Sequence, residues 1–266
     1  MGMFSGDFFS PSLRMTTQVK IITPEPSCDV TPFQDEEVNV MYLLHGLAAN
    51  AGEWPRFSKI EYYAKKYNLF VVMPETQRFF YTNTSFGAHY FDYLVDDLPT
   101  LVKRWFNVPN DREHTFIAGE SMGGYGAIKA ALSRPELYAG AAAFSAVADV
   151  RMFREMVETG EFPDMAPSEM DAIFGKGCDV GNENDLFALS TKIASCSEKP
   201  QLALFCGSDD MLLSMNKHFS DHLSELGYDH IFCEAPGDHE WPYWDKAVQR
   251  GFQALLGYDL ETTPLF

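Results

Sequence analysis

The strongest constraint on the fold is a series of short apolar runs that alternate with segments of helical periodicity. The runs are continuously apolar, which is typical of parallel strands covered on both faces. Strands that alternate with helices indicate βαβ units and a doubly wound, mostly parallel sheet flanked by helices. Six such strands are predicted at residues 38–44, 69–74, 114–119, 140–145, 201–207 and 230–235.

The segments between these runs predict the flanking helices and one further strand. Residues 16–22 alternate polar and apolar side chains, which favours an antiparallel strand at the edge of the sheet. Pro99 lies inside one helical segment, so we expect a kink or a break there. Helices are predicted at residues 58–67, 91–106, 122–133, 211–226 and 242–256.

Residues 149–195 interrupt the alternation and combine helical fragments with turns. Neither flank has the composition of a linker, so we expect a small cap-like insertion within one domain. A chain of 266 residues, 46% of them hydrophobic, suits one large domain with a sizeable core. We therefore predict a single α/β domain over residues 1–266.

A glycine-rich turn carries the candidate nucleophile. The stretch GESMG, residues 119–123, has the pattern G-x-S-x-G between a predicted strand and a predicted helix. A sharp turn of this kind strains the backbone of Ser121, and side chains two residues before or after it would clash. We expect Gly124 and Gly126 to let the helix approach the sheet closely. The competing interpretation is a structural glycine turn.

A serine hydroxyl needs a general base, and the base needs an acid that orients it, in the chain order serine, acid, histidine for this architecture. His239 follows the last predicted strand and is the candidate base. Asp210 is the favoured acid; Asp209 beside it and Asp149 after an earlier strand remain alternatives. Asp238, next to the base, is expected to point elsewhere. An aspartate not used in this way is expected to cap the N-terminus of the predicted helix at 211–226.

An oxyanion hole requires two N–H groups that point at the same carbonyl oxygen. The residue after the candidate nucleophile, Met122, would supply one. The loop after the strand at 38–44 would supply the other from Leu47, because Gly46 lets the backbone turn. His45 in this loop is predicted to be structural.

Charge and composition exclude several classes of partner. The formal net charge is −18, with 20 lysines and arginines spread along the chain, so nucleic acid is not an expected partner. An acidic surface also disfavours anionic membranes and polyanionic substrates. No apolar stretch reaches the roughly 18 residues of a membrane span, and the N-terminus lacks the pattern of a signal peptide. A cytoplasmic location is therefore predicted.

The cysteines and paired histidines do not predict a disulfide framework or a metal centre. The cysteine count is odd, no CxxC pair occurs, and Cys206 and Cys233 are expected to be buried thiols in strands. His218 and His222 have one-face helical spacing, for which a solvated face is favoured over a metal site. The cysteines are Cys28, Cys178, Cys196, Cys206 and Cys233.

Aromatic side chains make up 14% of the chain, and many lie near the predicted site. They are interpreted either as walls of an apolar acyl pocket or as ordinary core and rim packing. The residues concerned are Trp54, Phe79, Phe80, Tyr81, Phe86, Tyr90, Phe91, Trp241 and Trp244.

Four separated motifs, in order along the chain, resemble the esterase D-type family of α/β-hydrolases, notably its bacterial tributyrin-esterase and feruloyl/acetyl-esterase members. They are YLLHGLAANAGEW, FIAGESMGGYGAIKAAL, LFCGSDD and APGDHEWPYWDKAV. The resemblance implies an α/β-hydrolase fold, Asp210 as the acid, and Leu47 and Met122 as the oxyanion-hole donors. The match is weakest in the insertion at 149–195.

The resemblance also implies a metal-free and cofactor-free carboxylesterase that acts on short acyl esters, including acetyl or feruloyl groups on carbohydrate. Relatives that hydrolyse S-formylglutathione make a thioesterase the first alternative, and an acyltransferase with the same acyl-enzyme is the second. A non-catalytic binding protein on this fold would lack a triad residue, and none is missing. A small-molecule ester is the expected partner, and association of copies of the chain is left open.

Overall fold

The computed structural model describes residues 1–25, 38–177 and 180–265. Within them, eight strands form one sheet: β1 Gly2–Ser10, β2 Met15–Thr23, β3 Asn39–Leu44, β4 Leu69–Pro74, β5 Thr115–Glu120, β6 Gly140–Phe144, β7 Gln201–Gly207 and β8 His230–Ala235. Their order across the sheet is β1-β2-β4-β3-β5-β6-β7-β8. The six strands β3 to β8 are parallel to one another, so the predicted mostly parallel sheet is confirmed.

Strand β2 is antiparallel as predicted, but its predicted position at the edge is wrong. It pairs with β4 on one side and, over its whole length, with β1 on the other. The sequence of β1, GMFSGDFFS, contains two glycines and two serines, so its apolar signal is weak. The edge strand is therefore β1, which the sequence pattern did not predict.

The helices lie between the strands and on both faces of the sheet. The predicted helix at 91–106 is broken, because a π-helical turn at Tyr93–Asp97 separates two α-helical segments. Pro99 is the second residue of the second segment and follows the π-helical turn closely. The helices are α1 Glu53–Phe57, α2 Ile60–Lys66, α3 Tyr90–Asp92, α4 Leu98–Trp105, α5 Met122–Ser133, α6 Val150–Thr159, α7 Pro167–Phe174, α8 Leu186–Ile193, α9 Leu213–Glu225 and α10 Trp241–Leu255.

The sheet separates two hydrophobic cores. Successive side chains of a strand point to opposite faces: Tyr42 and Leu44 of β3 pack with α5, whereas Met41 and Leu43 pack with α1, α2 and α10. Burial on both faces explains why the parallel strands are continuously apolar. The doubly wound arrangement predicted from the sequence follows from this.

The segment at 149–195 contributes α6, α7 and α8, whose apolar faces join the core that contains α5. It also contacts the loop after β4, where Arg78 pairs with Glu169 and the Ser85 N–H donates to the Ala172 carbonyl at 3.1 Å. The insertion and that loop are thereby connected on one side of the sheet.

Burial of the thiols follows the prediction only in part. Cys206 is buried, but Cys233 is half-buried because β8 is the edge strand at the far end of the sheet. Cys28 and Cys178 lie outside the described residues. In the part of the chain that the structure describes, no helix has the length and apolarity needed to cross a membrane.

Candidate functional site

Ser121 stands between β5 and α5 in a strained backbone conformation, with φ 53° and ψ −117°. Positive φ is unfavourable for residues other than glycine, so the surrounding contacts must hold it. The Ser121 N–H donates to the Phe144 carbonyl at 2.8 Å, and its own carbonyl accepts from the Val147 N–H at 3.2 Å. The side chain is 6% exposed.

Two glycines leave the space that this turn requires. A Cβ on Gly119 would lie 2.8 Å from the Leu44 Cβ and against the backbone of Gly123. A Cβ on Gly123 would lie 2.6 Å from the Leu44 carbonyl oxygen and 2.8 Å from that of His45. The turn at Ser121 therefore packs directly on the end of β3 and on the loop that follows it.

The two later glycines have different neighbours from each other. Gly124 allows close approach to Ala146, just beyond β6, as expected of a helix packed on the sheet. Gly126 was predicted to let α5 approach the sheet, and this is wrong, because a Cβ there would meet the ring of Tyr81. That glycine instead makes room for the loop after β4.

Three side chains predicted from the sequence meet at this turn. The Ser121 Oγ lies 3.0 Å from the His239 Nε2, and the His239 Nδ1 lies 3.0 and 3.1 Å from the two carboxylate oxygens of Asp210. Since a carboxylate only accepts, the Nδ1 carries the proton and the Nε2 is free to accept from the serine hydroxyl. This arrangement can remove a proton from Ser121 and stabilise the imidazolium that results.

The environment of Asp210 keeps it ionised. Burial alone would raise the pKa of its carboxyl, but the hydrogen bond and charge of His239 outweigh burial and hold the pKa below its usual value. Hydrogen bonds from the Ser145 hydroxyl and the Leu212 N–H act in the same direction.

The other aspartates near the site have different partners. Asp149 caps α6 by accepting from the N–H groups of Arg151 and Met152. Asp209 is exposed and contacts the Ser208 hydroxyl at 3.3 Å, so its predicted alternative role as helix cap is not observed. Asp238 accepts from the backbone N–H of His239 at 2.7 Å rather than from its ring.

The loop after β3 lies beside Ser121. Among the described residues, neither the Leu47 N–H nor the Met122 N–H has a backbone or side-chain acceptor. The preceding Gly46 N–H donates to the buried Glu120 carboxyl. Binding of an oxyanion would require two such free N–H groups close to the Ser121 hydroxyl.

His45 is buried and has a fixed tautomer. Its Nδ1 donates to the Gly46 carbonyl at 2.8 Å, and its Nε2 accepts from the Thr76 N–H at 3.1 Å. Burial lowers the pKa of this imidazole, which is therefore neutral. The predicted structural role agrees with these contacts.

Two further side chains contact the triad residues: Trp244, which the sequence placed near the site only as one of several aromatics, and Ser145, which sequence reasoning missed. Trp244 packs edge-on against the His239 ring at 4.9 Å and donates its Nε1–H to the Ser145 hydroxyl at 3.1 Å. Ser145 follows β6 at a positive φ of 51° and is fully buried. A serine directly after a strand end was a signal, but serines in loops are too common to single it out.

The remaining predicted groups are distributed over the molecule. Trp54, Phe80, Tyr81 and Tyr90 belong to the cores, whereas Phe86 is exposed. His218, on α9, lies 3.6 Å from the Asp149 carboxylate. Within the described ranges, no group of three or more side chains could hold a metal ion.

A cavity of about 1150 Å³ lies beside the far end of α5, away from the triad residues. Its lining includes Phe91, Lys129, Glu183, Phe187 and His222.

Comparison with known proteins agrees with this architecture. The chain matches the Esterase family, described as "Putative esterase", over residues 10–255. It is 28% identical over 261 residues to an acetyl esterase of Caldicellulosiruptor saccharolyticus, with 95% of this chain and 97% of the relative covered.

Two solved structures from Staphylococcus aureus are similar along nearly the whole chain. The fluorophosphonate-binding serine hydrolase FphF, solved with substrate bound, is 32% identical with a TM-score of 0.85 over 96% of this chain and 98% of that one. The S-formylglutathione hydrolase FrmB, solved as the apoenzyme, is 30% identical with a TM-score of 0.81 over the same shares. The chain belongs to the Esterase family of enzymes with the α/β-hydrolase fold.

Proposed function

We propose that the protein is a serine carboxylesterase in which Ser121 is the nucleophile, His239 the general base and Asp210 the orienting acid. The observation that supports this most directly is the hydrogen-bonded series from the Ser121 Oγ through His239 to Asp210, with each link at 3.0–3.1 Å. The strained turn of Ser121 and the ionised state of Asp210 are what such a mechanism requires.

In the proposed reaction, the Ser121 Oγ attacks the ester carbonyl carbon while the His239 Nε2 takes its proton. The N–H groups of Leu47 and Met122 donate to the oxyanion of the tetrahedral intermediate. The imidazolium then protonates the leaving alcohol. Water, deprotonated by His239, releases the acid from the acyl-enzyme and restores the serine.

The substrate we propose is a neutral ester with a short acyl group of the acetyl or feruloyl type, including acylated carbohydrate. An aromatic cluster beside His239 supports this class: Trp244 contacts the His239 ring and Trp241, and Trp241 packs on the exposed ring of Phe57 at 5.4 Å. The similarity to an acetyl esterase points the same way. The net charge of −18 favours neutral over polyanionic substrates.

We further propose that residues 149–195 act as a cap-like insertion within the one domain and shape the substrate side. Phe80, in the loop after β4, packs on Phe153 of α6 and Phe174 of α7 with ring centroids 5.6 and 5.4 Å apart. Tyr81, next in that loop, contacts the loop after β3 beside Ser121. Substitutions in the insertion would therefore alter the position of the loop that carries the proposed oxyanion hole.

A thioesterase acting on S-formylglutathione is the second candidate, and the similarity to FrmB favours it. The same acyl-enzyme would form, with a thiolate as the leaving group. The two candidates differ in the value of kcat/KM for matched oxyesters and thioesters.

The test is steady-state hydrolysis of nitrophenyl esters from acetyl to decanoyl, methyl ferulate and S-formylglutathione. We expect the highest kcat/KM on short acyl oxyesters. Ser121→Ala should reduce kcat by about 10⁴-fold or more while the thermal midpoint stays near that of the wild type. Near-wild-type hydrolysis by Ser121→Ala would refute the assignment, and preference for decanoyl esters would refute the short-acyl substrate.

A further inference from the structure

We propose that Glu120, acting with His45 and Tyr81, is a positioning residue that fixes the Leu47 N–H in the orientation an oxyanion hole requires. This inference rests on the proposed function. It concerns the glutamate that stands immediately before the nucleophile in the GESMG turn. In the proposed reaction Glu120 does not touch the substrate; it acts through the loop after β3.

The first peptide unit of that loop, between His45 and Gly46, is held at both ends. The His45 carbonyl accepts from the Tyr81 hydroxyl at 2.8 Å. The Gly46 N–H donates to the Glu120 carboxyl. Each contact comes from a different element, because Tyr81 lies in the loop after β4 and Glu120 ends β5.

The second unit, between Gly46 and Leu47, is held only at its carbonyl. That oxygen accepts from the His45 Nδ1 at 2.8 Å and from the Ala49 N–H at 3.3 Å. In a trans peptide the N–H points opposite to the carbonyl, and none of the described peptide bonds is cis. Fixing the Gly46 carbonyl therefore also fixes the direction of the Leu47 N–H.

Of the four hydrogen-bonding groups in these two units, the Leu47 N–H is the one without a partner among the described residues. A buried backbone group is normally paired. Because Leu47 is half-buried, its unpaired N–H is compatible with binding a ligand at this position. Three fixed groups around one free donor is the arrangement that preorganisation of an oxyanion hole demands.

The site is built around a carboxyl group. Glu120 is 2% exposed, and a Cβ on Gly46 would overlap its carboxyl group, so glycine and glutamate are complementary. Burial raises the pKa of Glu120 well above its usual value, the Gly46 N–H opposes this, and Glu53 adds to it. Burial therefore favours the neutral form of this carboxyl more than in a free glutamate, and one of its oxygens accepts from the Gly46 N–H.

Ionisation of Glu120 would place a negative charge close to the developing oxyanion. The titratable groups around it do not offset that charge. Glu53 and Glu75 are acidic, His45 is neutral, and burial raises the pKa of Tyr81. We therefore expect kcat to fall as pH rises through the pKa of Glu120, because the Glu120 carboxylate would repel the oxyanion of the tetrahedral intermediate.

The experiment compares Glu120→Gln, Glu120→Ala and the exposed control Glu113→Gln on nitrophenyl acetate between pH 5 and pH 10. Glutamine keeps an acceptor for Gly46 but cannot ionise. We expect Glu120→Gln to keep kcat within about threefold at pH 7 and to retain activity to higher pH than the wild type. Glu120→Ala should lose at least about tenfold in kcat with KM within twofold, because donor geometry acts on the transition state.

Three outcomes would overturn the proposal. They are a folded Glu120→Ala with kcat within twofold of the wild type, a Glu120→Gln as impaired as Glu120→Ala, and a pH profile of Glu120→Gln that coincides with those of the wild type and Glu113→Gln. If Glu120→Ala does not fold, as judged by circular dichroism, the pH profile of Glu120→Gln decides. Failure of the proposed function is separate, because wild-type protein would then not hydrolyse nitrophenyl acetate.

Discussion

The ring of His239 is held by more than its hydrogen bond to Asp210. Trp244 packs edge-on against it and donates to the Ser145 hydroxyl, which in turn bonds Asp210. Contacts therefore run in a closed circuit through His239, Trp244, Ser145 and Asp210. Because each member restrains the next, neither the acid nor the base can rotate away without breaking a contact elsewhere.

Loss of the Ser145 hydroxyl should weaken this circuit measurably. We expect Ser145→Ala to lower kcat/KM by about tenfold, since a hydrogen bond to a charged group contributes roughly 1.5–3 kcal/mol. The bond lowers the pKa of Asp210, so its loss should raise that pKa and move the acid limb of the pH–rate profile to higher pH. The measurement is kcat/KM between pH 4 and pH 8.

Ser224→Ala is the matched control for this change, because the one described partner of the Ser224 hydroxyl is the Ser220 carbonyl within α9. Trp244→Phe, which keeps an aromatic ring and removes the Nε1–H, should act in the same direction as Ser145→Ala. An unchanged acid limb in Ser145→Ala would show that Ser145 does not support Asp210.

At the residue scale, the sequence predicted which side chains would meet but not what supports them. Chain order and loop position sufficed for Ser121, Asp210 and His239, because parallel strands deliver their carboxyl ends to one edge of the sheet. Ser145 and Glu120 depend on register between strands that are distant in sequence, such as Gly119 opposite Ala143. No local pattern carries that information. The catalytic roles themselves stay predictions.

Helix α5 is buried almost all round and yet contains a lysine. The Lys129 ammonium is 2% exposed and bonds the Thr82 hydroxyl at 2.8 Å and the Asn184 side-chain oxygen at 2.6 Å. It thereby joins α5 to the loop after β4 and to the insertion. Burial lowers its pKa to about 7, although Glu183 and Asp92 act in the opposite direction.

The lowered pKa of Lys129 makes the free energy of unfolding depend on pH. An unfolded lysine titrates near pH 10.4, so the stability of the wild type should fall as pH drops from about 10 to about 7 and change no further from this cause below 7. Lys129→Met removes that dependence. We expect its free energy of unfolding, relative to the wild type, to rise as pH is lowered across that interval.

Denaturant unfolding at pH 6, 7, 8.5 and 10 measures this difference. Lys192→Met, an exposed lysine that lines the same cavity, is the control and should show a constant difference from the wild type. A constant difference for Lys129→Met as well would mean that Lys129 is charged in the folded protein throughout.

At the scale of elements, the continuously apolar parallel strands and the helices between them were predictable, whereas the irregular elements were not. The break near Pro99 was expected, but the sequence pattern did not indicate the π-helical turn before it. Strand β1 was missed because its glycines and serines dilute the strand signal. The partial burial of β8, and with it the half-buried state of Cys233, follows from its position at an edge, which the local sequence does not specify.

The whole molecule carries a formal charge of −18. A negative potential slows the approach of anionic substrates, and salt screens it with a Debye length of about 10 Å at 0.1 M. We expect kcat/KM for S-formylglutathione, which is anionic at neutral pH, to rise several-fold between 20 and 300 mM salt. The value for neutral nitrophenyl butyrate should stay within twofold. A fall for the anionic substrate would indicate a positive field local to the site.

The most direct test of the central claim is to trap the acyl-enzyme. Wild-type protein is mixed with nitrophenyl acetate, quenched in acid within one turnover, digested and mapped by mass spectrometry, with Ser121→Ala in parallel. The account predicts one acetyl group on the peptide that contains Ser121 and none on the variant. Turnover without acetylated Ser121, or acetylation of another residue at the rate of catalysis, would contradict it.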